Sequence, residues 1–200
     1  MNNEIAQLAR QAGVIGAGGA GFPTHIKLNT HVEYVILNGA ECEPLISVDK
    51  ILLRTKTVCL ADMLEEVRKA LGAKEAIIGI KEKHQEVIEV VKAALDSYPH
   101  LKVMPLGDFY PAGDEVVLVY ETTGRQIPQS GIPLDVGVVV INVETLWNLA
   151  EAREGRPVTQ KWVTVAGAVA APGTFQVPLG VSIAEMLKLA GDPVLEDYAV

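Results

Sequence analysis

Apolar positions along the chain fall into two alternating patterns. Short continuous runs, rich in β-branched and aromatic residues, occur at Glu33-Tyr34-Val35-Ile36-Leu37, Ala76-Ile77-Ile78-Gly79-Ile80, Leu101-Lys102-Val103-Met104-Pro105 and Gly137-Val138-Val139-Val140-Ile141. Runs of this length and type predict strands buried on both faces. Between them, apolar residues recur every three or four positions. Ile5, Leu8 and Ala9 predict a helix over 3–11, and Leu60, Leu64, Val67 and Leu71 predict one over 57–71, closed by Gly72. Val87, Ile88, Val91 and Leu95 predict another over 84–96, and further helices are expected over 116–123 and 146–152. Strands alternating with amphipathic helices imply parallel β-α-β units, hence an α/β sheet covered on both faces.

The pattern changes near Gly155-Arg156-Pro157. Beyond it, Lys161–Gly167 and Thr174–Val177 read as two strands joined by a turn at Pro172-Gly173, and Ser182 caps a helix carrying Ile183, Met186, Leu187 and Leu189. The chain therefore divides into a main unit, residues 1–157, and a smaller one, residues 158–200. A hairpin plus one helix is small for independent stability, so this unit either packs on the first or is incomplete.

The unusual residues lie in the loops. Gly13-Val14-Ile15-Gly16-Ala17-Gly18-Gly19-Ala20-Gly21-Phe22-Pro23 places five glycines in nine residues, which lets backbone N–H groups approach a bulky anion such as a phosphate. Lys27 follows within reach of the same anion, and Phe22 adds an aromatic face; the plainer alternative is a mobile linker. Asn38-Gly39 is expected to turn the chain after the first strand, leaving Asn38, Glu41 and Glu43 beyond its carboxyl end, where ligands sit in open α/β sheets. A solvated acidic turn is the alternative there. At Tyr110-Pro111-Ala112-Gly113-Asp114-Glu115, helix capping explains both carboxylates. Asn142 and Thr145 either contact a ligand or start the following helix.

Composition narrows the classes. The chain is 49% hydrophobic and 21% charged, the profile of a folded protein. No apolar run approaches the roughly 18 residues needed to cross a membrane, and Met1-Asn2-Asn3-Glu4 does not begin a signal peptide, so a cytoplasmic protein is expected. A formal charge of -8, with no basic cluster, argues against nucleic acid. Cys42 and Cys59, with four scattered histidines, offer no metal-ligand spacing. The glycine loop lacks the GK[ST] ending of a kinase-type phosphate loop.

Taken in order, GVIGAGGAGFPTHIKL, NGAECEP, YPAGDE and NVETL resemble the FMN- and NADH-binding domain of the complex I flavoprotein subunit and its relatives. Those relatives include RnfC-type electron-transport subunits and the cobalamin reductase branch of propanediol utilization. The last branch is most similar, because the glycine loop here starts almost at the N-terminus, whereas RnfC-type chains carry a domain before it. The resemblance covers roughly residues 5–155. The stretch VTVAGAVAAPGTFQVPLGVSIAEMLKLAG resembles the β-grasp (SLBB-type) unit that follows in the same family.

The resemblance implies a Rossmann-like layered α/β domain with a mostly parallel sheet, then a β-grasp unit, here incomplete. It implies FMN as cofactor, with Gly16, Gly18, Gly19 and Lys27 holding the phosphate and ribityl chain, Asn38 and Glu41 bordering the flavin, and Asn142 and Thr145 closing the phosphate end. Tyr110, Gly113, Asp114 and Glu115 would line the cavity beside the ring system, while Phe22 and Glu43 would meet NADH by stacking and by a ribose hydrogen bond. It also implies an NADH oxidoreductase in which the cofactor carries the hydride, with no catalytic acid or base. Electrons would pass to iron–sulfur clusters in a region this chain lacks, and onward to cobalamin, a corrinoid enzyme or another carrier. Placement within a bacterial microcompartment or at the edge of a membrane complex, as a complex subunit or homo-oligomer, is the corresponding expectation. Two departures stand out, since the complex I branch has arginine at the position of Ala17 and aspartate at that of Ala40. They leave open a module that keeps the fold and docks a partner through a weakened nucleotide site.

Overall fold

The computed structural model describes residues 4–199. Four parallel strands form the central sheet: β1 (Tyr34–Gly39), β2 (Glu75–Lys81), β3 (Leu101–Leu106) and β4 (Val138–Asn142), in the order β3-β2-β1-β4. The chain thus steps outward from β1 through β2 to β3, then returns to place β4 on the other side of β1. That reversal opens a crevice at the carboxyl ends of β1 and β4, the place where ligands enter open α/β sheets.

Strands β1, β2 and β4 bury both faces, whereas β3, at one edge of the sheet, leaves Lys102 and Pro105 exposed. Val35, Leu37, Ile78, Ile80, Val139 and Ile141 point into the larger core, and Ile36, Val138 and Val140 into the smaller. The larger core is closed by α1 (Glu4–Gln11), α3 (Val48–Thr55), α4 (Thr57–Ala70), α5 (Gln85–Ala94) and α7 (Val143–Arg153). On the opposite face α6 (Glu115–Thr123) contributes Leu118 and Val119. This two-sided burial is why the strands read as continuous apolar runs rather than alternating ones.

The expected elements are present, with two local differences. Asn38-Gly39 does not turn the chain: it ends β1, with Asn38 paired to Gly79 on one side and Asn142 on the other. A Cβ at Gly39 would lie 2.7 Å from Leu53 Cδ1, so glycine is needed there for close packing, not for a turn. In addition α3, which no apolar repeat had marked, forms eight residues after Leu45-Ile46-Ser47. A short helix, α2 (Thr24–Lys27), follows the glycine loop.

Residues beyond α7 form an antiparallel hairpin, β5 (Gln160–Val165) and β6 (Gly173–Pro178), then α8 (Ile183–Leu189), whose N-cap Ser182 and Glu185 make a capping box. The hairpin packs on the sheet domain. Val158 N donates to Ala12 O at 3.0 Å, and Ser47 N to Thr164 Oγ1 at 3.1 Å.

Candidate functional site

At the crevice between β1 and β4 lies a cavity of about 790 Å³. Its walls come from the glycine loop, the segments after β1 and β3, the N-termini of α3 and α7, and β5 of the hairpin. Every site residue named from the sequence lines it: Gly16, Gly18, Gly19, Phe22, Lys27, Asn38, Glu41, Glu43, Tyr110, Gly113, Asp114, Glu115, Asn142 and Thr145. The topology brings them together, but the bonds they make differ from one another.

The glycine loop is a closed excursion. An isolated bridge between Ile15 and Pro23, with Gly16 N donating to Phe22 O at 2.8 Å, pins its neck. One further bond anchors it, from Ala17 N to the buried Thr145 Oγ1 at 2.8 Å. Among the described residues, the amides of Gly18, Gly19 and Ala20 have no protein acceptor. Gly19, at φ 122°, takes a conformation that side chains rarely adopt. Three unpartnered N–H groups in an exposed loop, facing the N-terminus of an eleven-residue helix, suit an anionic ligand.

Lys27 reaches across the cavity, donating to Val140 O at 2.9 Å and Glu115 Oε1 at 3.0 Å. Asp114 caps α6, accepting from Val116 N at 2.9 Å and Val117 N at 3.3 Å, so the capping explanation holds for it. Asn38 ties the end of β1 to the third loop. Its Nδ2 donates to Gly113 O at 2.8 Å, and its Oδ1 accepts from Ala40 N at 3.2 Å. Gly113 N in turn donates to Cys42 Sγ at 2.9 Å, and a Cβ on Gly113 would come within 3.2 Å of Ala40 Cβ. Ala40 is fully buried at this contact, whereas Ala17 lines the cavity. The two departures from the complex I pattern therefore fall in different environments.

Glu41 lies with its side chain buried in the cavity wall. At φ 42°, its carboxylate accepts from Asp49 N at 3.0 Å and Lys50 N at 3.2 Å, capping the N-terminus of α3. Glu43 and Tyr110 are exposed, their side chains 3.4 Å apart across the mouth, and Phe22 stands at the rim.

Lining residues not singled out from the sequence include Asp49, Glu144, Lys161, Trp162 and Thr164. Asn142 Nδ2 donates to both oxygens of Asp49, at 3.2 and 3.1 Å, while Asn142 Oδ1 accepts from Glu144 N at 3.0 Å and so caps α7. Glu144 is 2% exposed; its carboxylate holds the Lys161 ammonium and accepts from Trp162 N at 2.9 Å. Burial first, and then the Glu41 charge, push the Asp49 carboxyl up to about 7. The Trp162 indole Nε1 is buried without an acceptor among the described residues. No group of three or more His, Cys, Asp or Glu among those residues is arranged to hold a metal ion. Glu144 lay inside the NVETL motif and Asp49 only two residues past Ser47, but neither carries a local pattern that distinguishes it from a surface acid.

Residues 9–151 match the family described as the Nuo51 FMN-binding domain. The chain belongs to that family. It is 44% identical to the cobalamin reductase PduS of Salmonella typhimurium over 98% of this chain and 43% of that protein. It is 34% identical to a subunit of the Na(+)-translocating ferredoxin:NAD(+) oxidoreductase complex of Acetobacterium woodii, over 94% of this chain and 44% of that protein. In structure it is similar to a polypeptide of the NAD+-reducing [NiFe]-hydrogenase in the H2-reduced state, with a TM-score of 0.82, 26% identity, and coverage of 98% of this chain and 40% of that one. The chain thus spans less than half the length of these relatives. The family's fold, a Rossmann-like α/β layer, is the one seen here, and no helix among the described residues is long and apolar enough to cross a membrane.

Proposed function

We propose that this chain is the flavin-binding part of an NADH-oxidising electron-transfer protein, with FMN held in the strand-end cavity. The observation that carries the proposal is the set of glycine-loop amides without protein acceptors, opposite the N-terminus of α7 and across from Lys27. A dianionic phosphate is the ligand chemistry that such a cradle suits. A cavity of about 790 Å³ is large enough for a flavin nucleotide plus part of a second nucleotide.

The residues then take distinct roles. Gly16, Gly18, Gly19 and Thr145 shape the phosphate cradle, and Lys27 supplies a cation that Glu115 and the Val140 carbonyl keep in place. Asn38, Glu41 and Gly113 fix the loops that border the flavin, with Tyr110 and Asp114 on the adjoining wall. Phe22 and Glu43, both exposed, are placed to receive the nicotinamide nucleotide. When bound, FMN supplies two-electron acceptance from a nicotinamide and release in single steps. The protein has to bind and orient, and the bonds of Asp114 and Glu115 give those carboxylates capping and pairing roles instead of proton transfer.

Electrons would continue to iron–sulfur clusters outside this chain and then to a corrin or another carrier. Residues 158–200 are read as the beginning of a β-grasp unit, supported by their hairpin-then-helix order. The test is a titration of the protein with FMN, followed by NADH. Quenching of flavin fluorescence and NADH-dependent bleaching at about 450 nm are expected. Absence of quenching at saturating FMN overturns the reading in favour of a partner-docking module.

A further inference from the structure

Three carboxylates sit in one buried wall of the cavity. Glu41 comes from the segment after β1, Asp49 from α3 and Glu144 from α7, and their side chains are almost wholly removed from water. The cations facing them are already engaged: Lys161 of β5 is on Glu144, and Lys50 of α3 lies 3.6 Å from Glu41. From α5, packed on the same helix, Glu86 pairs with Arg54 at 3.5 Å, and His84 occupies the N-cap position without a side-chain hydrogen bond to the helix; the α4 N-cap, Lys56, lies over the Trp147 ring. Asp49 has no cation of its own within ion-pair distance among the described residues, and its hydrogen-bond donor is the neutral amide of Asn142.

Asn142 connects this wall to the proposed phosphate cradle. It caps α7 through Oδ1, and its Cβ lies 3.5 Å from where a Gly18 side chain would begin. A negative charge arriving between Gly18 and the α7 N-terminus is therefore separated from Asp49 by one side chain. Resting on the FMN reading, we propose that binding of the FMN phosphate draws a proton onto Asp49, the positioning residue that holds Asn142 beneath the glycine loop. The added anion disfavours ionised Asp49, just as Glu41 and Glu144 already do. In the protonated form the remaining carbonyl oxygen still accepts from Asn142 Nδ2, so the clamp survives the charge change.

Linkage fixes the sign. A group that gains a proton on binding makes affinity fall as pH rises above its value in the free protein, by about tenfold per pH unit for one proton. The experiment is calorimetric titration of the full chain at pH 8 in two buffers of different ionisation enthalpy, with FMN and with riboflavin, for wild type and Asp49→Asn. Uptake of more than about half a proton per FMN by the wild type is expected, with none on riboflavin and none in the variant, whose affinity should vary less with pH. FMN binding without proton uptake, or equal uptake in Asp49→Asn, overturns the inference. If the variant does not fold, the FMN–riboflavin difference in the wild type decides. If neither flavin binds, the FMN reading itself has failed, and this inference falls with it.

Discussion

The glycine loop and the wall behind it meet at Asn142, yet they are built on opposite principles. In the loop, Gly18, Gly19 and Ala20 are exposed and their amides have no protein acceptor among the described residues. In the wall, Asp49, Glu144 and Thr145 are 9%, 2% and 3% exposed, and each has its hydrogen-bond partners. Donors without partners are available to a ligand, and fully bonded buried groups are available only to hold shape and set the local charge. Binding strength should therefore depend on the loop, while stability and pH response should depend on the wall.

The largest effect should come from breaking the wall. Glu144→Ala removes the acceptor for Trp162 N and leaves the Lys161 ammonium without its carboxylate, which should destabilise the protein by about 2–4 kcal/mol. The lower part of that range is expected because Lys161 is 42% exposed, and chemical denaturation would measure it. Next comes the loop. Gly18→Ala places its methyl at ordinary contact distance from Asn142, but the branches of Gly18→Val overpack the contact, so FMN affinity should fall by roughly tenfold to a hundredfold in the valine variant. Its unfolding midpoint should stay near that of the wild type. A loss of stability comparable to Glu144→Ala would erase the distinction between loop and wall.

The smallest effect is expected where the two regions touch. Thr145→Val leaves Ala17 N without its acceptor, at a cost of about 1 kcal/mol, and it loosens the only bond that ties the loop tip to α7 among the described residues. FMN affinity should drop a few-fold.

The pH dependence of stability sharpens the same contrast. Because Asp49 is raised to about 7 in the folded protein, the stability it allows at low pH is lost as pH rises from the ordinary carboxylate range through about 7. Glu33, Glu65, Asp108, Glu151 and Glu185 are lowered by their ion pairs and hydrogen bonds, so their contributions vanish only at more acidic pH. His84 is lowered mainly by burial and acts with the opposite sign. The difference between wild type and Asp49→Asn across pH 5 to 8.5 therefore isolates Asp49, and denaturant midpoints should diverge as pH increases.

Much of the fold was legible because burial on both faces of a parallel sheet writes itself into consecutive residues. Val138-Val139-Val140-Ile141 could hardly be anything else. The four unusual loops were visible for the same local reason: glycines, asparagines and prolines mark backbone that leaves regular structure. Asn38-Gly39 misled, since a dipeptide that often turns here ends a strand under Leu53, and only packing distinguishes the two. α3 escaped because Val48, Leu52 and Leu53 make too brief a repeat to announce a helix.

By itself, then, the amino-acid sequence determined the alternation of strands and helices, the positions of the loops and the glycine-rich cradle, because each depends on residues near one another in the chain. Tertiary structure decided that β4 returns beside β1, setting Asn142 opposite Asn38 and gathering the loops around one cavity. It also decided that Asp49 and Glu144 are buried and that Lys161, from beyond the sheet domain, closes the wall. The reason is physical. Burial, and with it the charge a carboxyl will carry, is a property of what surrounds a side chain, and those surroundings come from segments about a hundred residues apart.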